Sequence, residues 1–253
     1  MIQLKNAQEL AKMRRACQIS AEALKLGGRS IEAGMTTADL DKIIYDYIKR
    51  HGARPNFKGL YGFPGTACIS INDEVIHGLP SHSRQIRPGD IVSIDTGAAI
   101  NGFNGDNACT FPCGKVDIEA QRLMDVTKES LHRGIAAAVA GNRVGDIGHA
   151  VQSYVEENGF SVVRSFVGHG VGKELHEDPE VPNYGHAGHG VRLVNGMTIA
   201  IEPMVNQKHH SVKTLYDGWT VVTADGGLAA HFEHSIAILP GGPEILTIGW
   251  EEP

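Results

Sequence analysis

The chain has 253 residues, 42% hydrophobic and 21% charged, which excludes a disordered polypeptide and allows one large domain with a sizeable core. Its 23 Lys+Arg against 29 Asp+Glu give a formal charge of −6, with no basic excess to grip a nucleic-acid backbone. No stretch approaches the about 20 apolar residues that cross a bilayer, and Met1–Leu10 mixes charges from the start, so a cytoplasmic protein is expected.

The first predicted helix is capped by Asn6, with Glu9 three residues later. Leu10, Met13, Cys17, Ala21 and Leu24 then recur at helical spacing until Gly27-Gly28, where the helix is expected to stop. A second helix starts at Thr37, puts Leu40, Ile43, Ile44, Tyr47 and Ile48 on one face, and ends at Gly52. Strands are expected at Ala67–Ile71 and Ile91–Ile94. Helices follow at Ile118–Val139 and Val144–Asn158, the latter stopped by Gly159. Strands then dominate: Val162–Val167, Met197–Ile201, Trp219–Thr223, His231–Leu239 and Glu244–Ile248. The four cysteines (Cys17, Cys68, Cys109, Cys113) are too scattered for a disulfide framework. Cys109 and Cys113 have no matching second pair to complete a zinc site, so all four are read as buried thiols.

The sequence repeats itself at an offset of 107 residues. Ala33-Gly34 maps to Ala140-Gly141, Asp39-Leu40 to Asp146-Ile147, Tyr47 to Tyr154 and Gly52 to Gly159. Further on, Gly89 maps to Gly196, Ile94 to Ile201 and Asp95 to Glu202. Helix, helix, then a strand ending in a carboxylate thus occurs twice, which predicts two similar halves. The two strand-end acids would face each other across the junction.

Asp95 and Glu202 each close an apolar strand, and Glu233 sits inside His231–Ile238. Alone, each such acid is ordinarily solvated or salt-bridged. Three on apolar strands, with few bases nearby in sequence, point to a bound cation, because a buried carboxylate is costly without one. Asp106 lies in the turn-rich run Asn101–Asp106, where a capping or turn role is the ordinary expectation. His169, between Gly168 and Gly170, is ordinarily a hydrogen-bonded structural residue, but its glycines also permit close approach to a ligand.

Taken together, Asp95, Asp106, His169, Glu202 and Glu233 stand at intervals of 11, 63, 33 and 31. This pattern resembles the metal-binding set of the type I methionine aminopeptidases, in the pita-bread metallopeptidase superfamily. Val75–Pro80, Leu175–Pro179 and Asp217–Thr223 carry the same resemblance, which spans nearly the whole chain. It implies an α+β fold in which two pseudo-symmetric halves, roughly 6–110 and 115–250, surround a curved antiparallel sheet with helices outside. The 253 residues would form one catalytic domain.

The resemblance also implies two divalent metal ions. Asp95 would chelate one, His169 and Glu202 the other, and Asp106 and Glu233 would bridge them. One imidazole and four carboxylates suit Co, Mn, Fe or Zn rather than soft Cu(I). Two such cations about 3.5–4 Å apart would sustain a bridging hydroxide that attacks the first peptide bond. Glu202 would relay the proton, His176 would donate to the carbonyl oxygen, and His77 would bind the peptide nitrogen or assist the leaving amine. Leu60, Phe63, Cys68, Leu175 and Trp219, with Phe57 nearby, would wall the side-chain pocket.

The chain departs from that pattern at several positions. Phe57 stands where Cys is frequent, Leu60 and Phe63 where Tyr is frequent, Gly97 where Thr is frequent and Asn104 where His is frequent. The implied substrates are the N-termini of nascent polypeptides whose second residue is small, met near the ribosome by a monomeric enzyme. A prolidase or X-prolyl aminopeptidase is the first alternative, although those relatives carry a large extra N-terminal domain. A non-catalytic pita-bread binding module is the second, although it would be expected to lose metal ligands.

Overall fold

The computed structural model describes residues 1–250. Helix α1 (Ala7–Arg29) starts at the expected capping box, in which Asn6 Oδ1 accepts from the Glu9 amide and the Asn6 amide donates to Glu9 Oε2. The helix does not stop at Gly27-Gly28. A Cβ on Gly28 would lie 2.3 Å from the Phe111 ring, so this glycine serves close packing on the sheet rather than termination. Helix α2 (Thr37–Arg50) buries Leu40, Ile44 and Ile48 behind the Thr36 cap, with Ile43 and Tyr47 half-buried on its flank.

Strands β1 (Arg54–Pro55), β2 (Ala67–Ile71), β3 (Glu74–Ile76), β4 (Ile91–Ile100) and β5 (Phe103–Pro112) complete the first half. Here the sequence reading falls short: β4 is ten residues long, and β5, another ten, is not among the expected strands, its first four residues lying in the turn-rich run Asn101–Asp106. Asn101 and Gly102, both at positive φ, form the two-residue link between these strands, the geometry that matches strand twist in a tight hairpin.

The second half opens with α3 (Ile118–Ala137) and α4 (Val144–Glu157), close to their predicted bounds. Its strands are short: β6 (Ser161–Val162), β7 (Gly168–Gly170), β8 (Glu177–Val181), β9 (Thr198–Ile201) and β10 (Met204–Asn206). Then come β11 (Val212–Thr214), β12 (Val221–Thr223), β13 (Ala229–His231), β14 (Glu233–Leu239) and β15 (Gly242–Ile245). The predicted strand Val162–Val167 shrinks to β6, and the predicted His231–Leu239 divides at Phe232 into β13 and β14, which belong to different sheets.

A nine-stranded antiparallel sheet runs β1-β4-β5-β14-β9-β7-β8, with β2 added to β4 and β15 to β14. The α1/α2 pair covers the first half, α1 lying directly on β4 and β5, and the α3/α4 pair covers the second. A Cβ at Gly105 would come within 2.5 Å of the Cys17 main chain, which shows how closely α1 presses on β5. The largest apolar cluster of the core runs from Ile19 and Leu24 to Ile236 and Trp250, and all four cysteines are buried.

The two halves repeat in their hydrogen bonds. Gly34 N–H donates to Ile86 O at 2.8 Å, and Gly141 N–H to Leu193 O at 2.9 Å. The isolated bridge Thr36↔Gln85 recurs as Arg143↔Arg192, both partners displaced by 107. Asp39 and Asp146 each accept from the cap residue of their helix, and the Gly52/Gly159 and Gly89/Gly196 pairs share positive φ. The fold is therefore a pseudo-symmetric pair of helix–helix–strand units around a curved antiparallel sheet.

Candidate metal centre

Strand register brings the acids together. Asp95 on β4 and Glu233 on β14 both face Ala108 of β5, from opposite sides. Asp106 lies two residues from Ala108, on the same face of β5. The register pairing His234 with Ile201 carries Glu202, the next residue after β9, opposite Glu233. Four carboxylates from four adjacent strands therefore crowd one patch, and alanine at the centre leaves them room to converge. His169, in the middle of β7, completes the patch.

The side-chain geometry is tight. His169 Nε2 lies 3.7 Å from Asp106 Oδ2 and 3.6 Å from Glu202 Oε1. One potential ligand atom each from Asp106, His169 and Glu233 lies within 4.8 Å of the others. His169 Nδ1 stands 2.8 Å from the Gly170 carbonyl, which can only accept, so the proton sits on Nδ1 and the Nε2 lone pair faces the acids.

Electrostatics calls for a cation here. Burial pushes the Asp106 carboxyl up to about 7. Burial first, and then the charges of neighbouring acids, drive Asp95, Glu202 and Glu233 well above the ordinary carboxylate range. Asp95 Oδ1, Asp106 Oδ1 and Glu233 Oε1 are buried with no hydrogen-bond partner. Among the described residues no Lys or Arg lines the cavity. Orphaned, mutually repelling carboxylate oxygens beside a free imidazole lone pair fit divalent metal, which supplies the missing positive charge.

Every residue singled out from the sequence lines one cavity of about 730 Å³: the five donors, His77 and His176, and the apolar Leu60, Phe63, Cys68 and Trp219. Phe57, Phe63, Cys68 and Leu175 form a buried cluster with Leu60, Leu79 and Trp219 packed on its edge. Phe63 and Trp219 meet edge-on at 5.2 Å, and Cys68 pairs in register with Asp95, so the apolar slot abuts the acids. Trp219 precedes β12 rather than opening it. Its loop is held by Asp217, which accepts from the Trp219 and Thr220 amides.

His176 and His77 line the same cavity. The His176 ring meets His169 edge-on at 4.5 Å. His77 takes a φ of 59°, uncommon outside glycine and of the kind that gathers at functional sites. Burial, and next the His176 ring, lower its pKa to about 4, so it is neutral at pH 7.

Two of the departures from the family pattern acquire a reason. A Cβ at Gly97 would fall 2.2 Å from Asn56 Oδ1, so Asn56 occupies the space that a larger residue would take. Asn104 Nδ2 donates to Gly172 O and Lys173 O, tethering the segment that leads to His176. That segment is held again by the buried Lys5–Glu177 ion pair at 2.5 Å. Asp106 is 3% exposed within β5 and takes no turn role, which leaves it among the donors that the resemblance implies. The sequence reading missed Leu79, Asn183, which donates to the Glu202 carbonyl at 2.9 Å, and the buried His231. Only Leu79 carried a signal, lying inside the Val75–Pro80 run.

The fold and this donor set define a metal-dependent hydrolase of the pita-bread type. The family model "Metallopeptidase family M24" matches residues 11–240. A methionine aminopeptidase of Clostridium perfringens is 55% identical over 248 residues, covering 98% of this chain and 99% of its own length. The crystal structure of a Thermotoga maritima methionine aminopeptidase superposes with a TM-score of 0.96 at 45% identity, covering 98% of this chain and 99% of that one. A prolidase from Pyrococcus furiosus shares the fold alone, with a TM-score of 0.78 at 22% identity over 97% of this chain and 65% of that one. The chain belongs to metallopeptidase family M24.

Proposed function

We propose that the chain is a methionine aminopeptidase, a single catalytic unit that removes the first methionine from polypeptides whose second residue is small. One observation carries this reading: a buried apolar slot of Phe57, Phe63, Cys68 and Leu175 opens directly onto a cluster of four carboxylates and one imidazole. A flexible thioether fits such an aromatic-lined slot, whereas a charged side chain would lose its hydration uncompensated.

In this reading the donors hold two divalent ions. Asp95 would hold one, His169 and Glu202 the other, and Asp106 and Glu233 would be shared between them. Bound divalent metal supplies an acidified water and a polarised carbonyl at neutral pH. Glu202, beside the other donors, would accept the water's proton. His176 donates to the carbonyl oxygen as negative charge develops there. His77 faces the peptide nitrogen and, being neutral, offers it one acceptor and one donor. The slot fixes the methionine side chain. No helix among the described residues is long and apolar enough to cross a membrane, which is compatible with action on nascent chains in the cytoplasm.

The test is cleavage of Met-Ala-Ser, Lys-Ala-Ser and Ala-Pro peptides by metal-free and metal-reloaded protein. Met-Ala-Ser should be cleaved only after reloading, and the other two poorly. Equal cleavage of N-terminal Met and Lys, or a preference for Pro at position two, would overturn the methionine reading in favour of the proline-directed relatives.

A further inference from the structure

Glu202 is anchored on two sides and open on a third. Its carbonyl accepts from Asn183, and its Oε1 faces His169 Nε2. The remaining oxygen, Oε2, faces Nε2 of His231 at 3.7 Å. His231 is the last residue of β13, 2% exposed, and neither of its ring nitrogens has a hydrogen-bond partner. Its main chain, by contrast, is clamped. The amide donates to Thr110 Oγ1 at 2.9 Å, that hydroxyl donates to the His231 carbonyl at 3.0 Å, and Met204 pairs with it across β10.

A buried imidazole with both nitrogens idle is costly, and such groups are rare unless they serve a partner. The carboxylate of Glu202 is the acceptor facing it. In either protonation state an imidazole carries at least one N–H to give.

We propose that His231 is a positioning residue for Glu202: its Nε2–H donates to Oε2 and turns Oε1 toward His169 and the metal centre. The present separation lies just outside hydrogen-bond range, and a small side-chain rotation against the fixed main chain of His231 closes it. With one oxygen held, Glu202 offers the other in a set direction. Without the donor, the carboxylate is free to rotate away from the centre. The inference rests on the proposed role of Glu202 as ligand and proton acceptor.

The experiment uses the full chain and Mn(II) as the probe. Mn(II) affinity of the metal-free protein is measured by calorimetry, and kcat and KM on Met-Ala-Ser are measured after loading, for wild type, His231→Gln, His231→Asn and His231→Leu. Glutamine carries an N–H near the place of Nε2, asparagine only near that of Nδ1, and leucine fills space without a donor. Leucine and asparagine should weaken Mn(II) binding and lower kcat by about 10–100-fold, the range for partners one shell beyond a metal ligand. KM should move by less than about threefold, and glutamine should recover most of both losses. Wild-type affinity and kcat in His231→Leu would overturn the proposal, as would equal defects in the glutamine and asparagine variants. Should His231→Leu fail to fold, the glutamine–asparagine pair decides alone. A wild-type protein that binds Mn(II) but leaves Met-Ala-Ser intact would refute the functional reading, while the affinities would still report on the contact to Glu202.

Discussion

The two halves share a scaffold and differ in how they deliver their donors. In the first, Asp95 and Asp106 come from one hairpin, β4–β5, and a two-residue link fixes their register locally. In the second, His169, Glu202 and Glu233 come from three separate strand segments, β7, the end of β9 and β14, brought together only by long-range pairing. The repeated hydrogen bonds at Gly34/Gly141 and Thr36/Arg143 show that the frame is the same in both. A common frame can thus hold two acids on one rigid hairpin in the first half and gather the remaining donors from separate segments in the second. The pocket wall takes Phe57, Leu60, Phe63 and Cys68 from the first half and Leu175 and Trp219 from the second.

The largest effect should come from Asp106→Ala and Glu233→Ala, one donor from each half. If both span the two ions, either change should abolish Met-Ala-Ser hydrolysis and lower total bound metal, read by elemental analysis after dialysis. Loss of activity with full metal content would break the symmetry of their roles.

His176→Ala should be next, removing a donor from the loop-bearing half alone. A lost oxyanion donor typically costs about 10²–10³-fold in kcat, and bound metal should be unchanged. A collapse in metal content would make His176 a ligand instead.

The pH dependence of the metal-free protein probes both halves together. Asp106 rises from 3.8 to about 7, and Asp95, Glu202 and Glu233 rise well above their ordinary values, through burial first. These acids hold more protons folded than unfolded, but between about pH 4 and about 6.5 the lowered imidazoles of His77, His169 and His231 oppose this, holding fewer protons folded than unfolded. Above about pH 6.5 the acids alone remain, with more protons folded than unfolded, so stability falls as pH rises. Metal-free protein should melt at a lower temperature at about pH 8 than at about pH 7, and loading with metal should remove that deficit and release protons. A melting temperature that climbs from about pH 7 to about pH 8 without metal would contradict the assigned burial of the acids.

The smallest effect tests the hairpin frame. Gly105→Ala would set a Cβ within 2.5 Å of the Cys17 main chain, and overpacking of this kind costs about 1–3 kcal/mol. Urea unfolding should report that loss. An unchanged midpoint would mean that α1 yields easily and does not brace β5.

Much of this was legible in the chain. Caps and apolar periodicity placed all four helices, because those signals are local, and the 107-residue offset pointed to the repeated frame. Asp95, Glu202 and Glu233 stand out in the sequence because carboxylates replace the apolar residues expected there, whereas Asp106 and His169 join them only through the resemblance to the family pattern. Strand β5 was misread because Asn101-Gly102 was weighed as a loop rather than as the tight hairpin link it is. The end of α1 was misread because Gly28 answers to Phe111, 83 positions away, and no local signal announces that contact. The same limit hid His231 and Asn183, whose importance lies in what they face across the sheet.

The most direct test of the account is metal stoichiometry by calorimetry on metal-free protein, comparing wild type with Asp95→Asn and His169→Ala. If each half supplies its own terminal ligand and Asp106 and Glu233 span the pair, wild type should bind two Mn(II) ions and each variant one tight ion. A wild type that binds a single ion, or variants that both bind as wild type does, would contradict it.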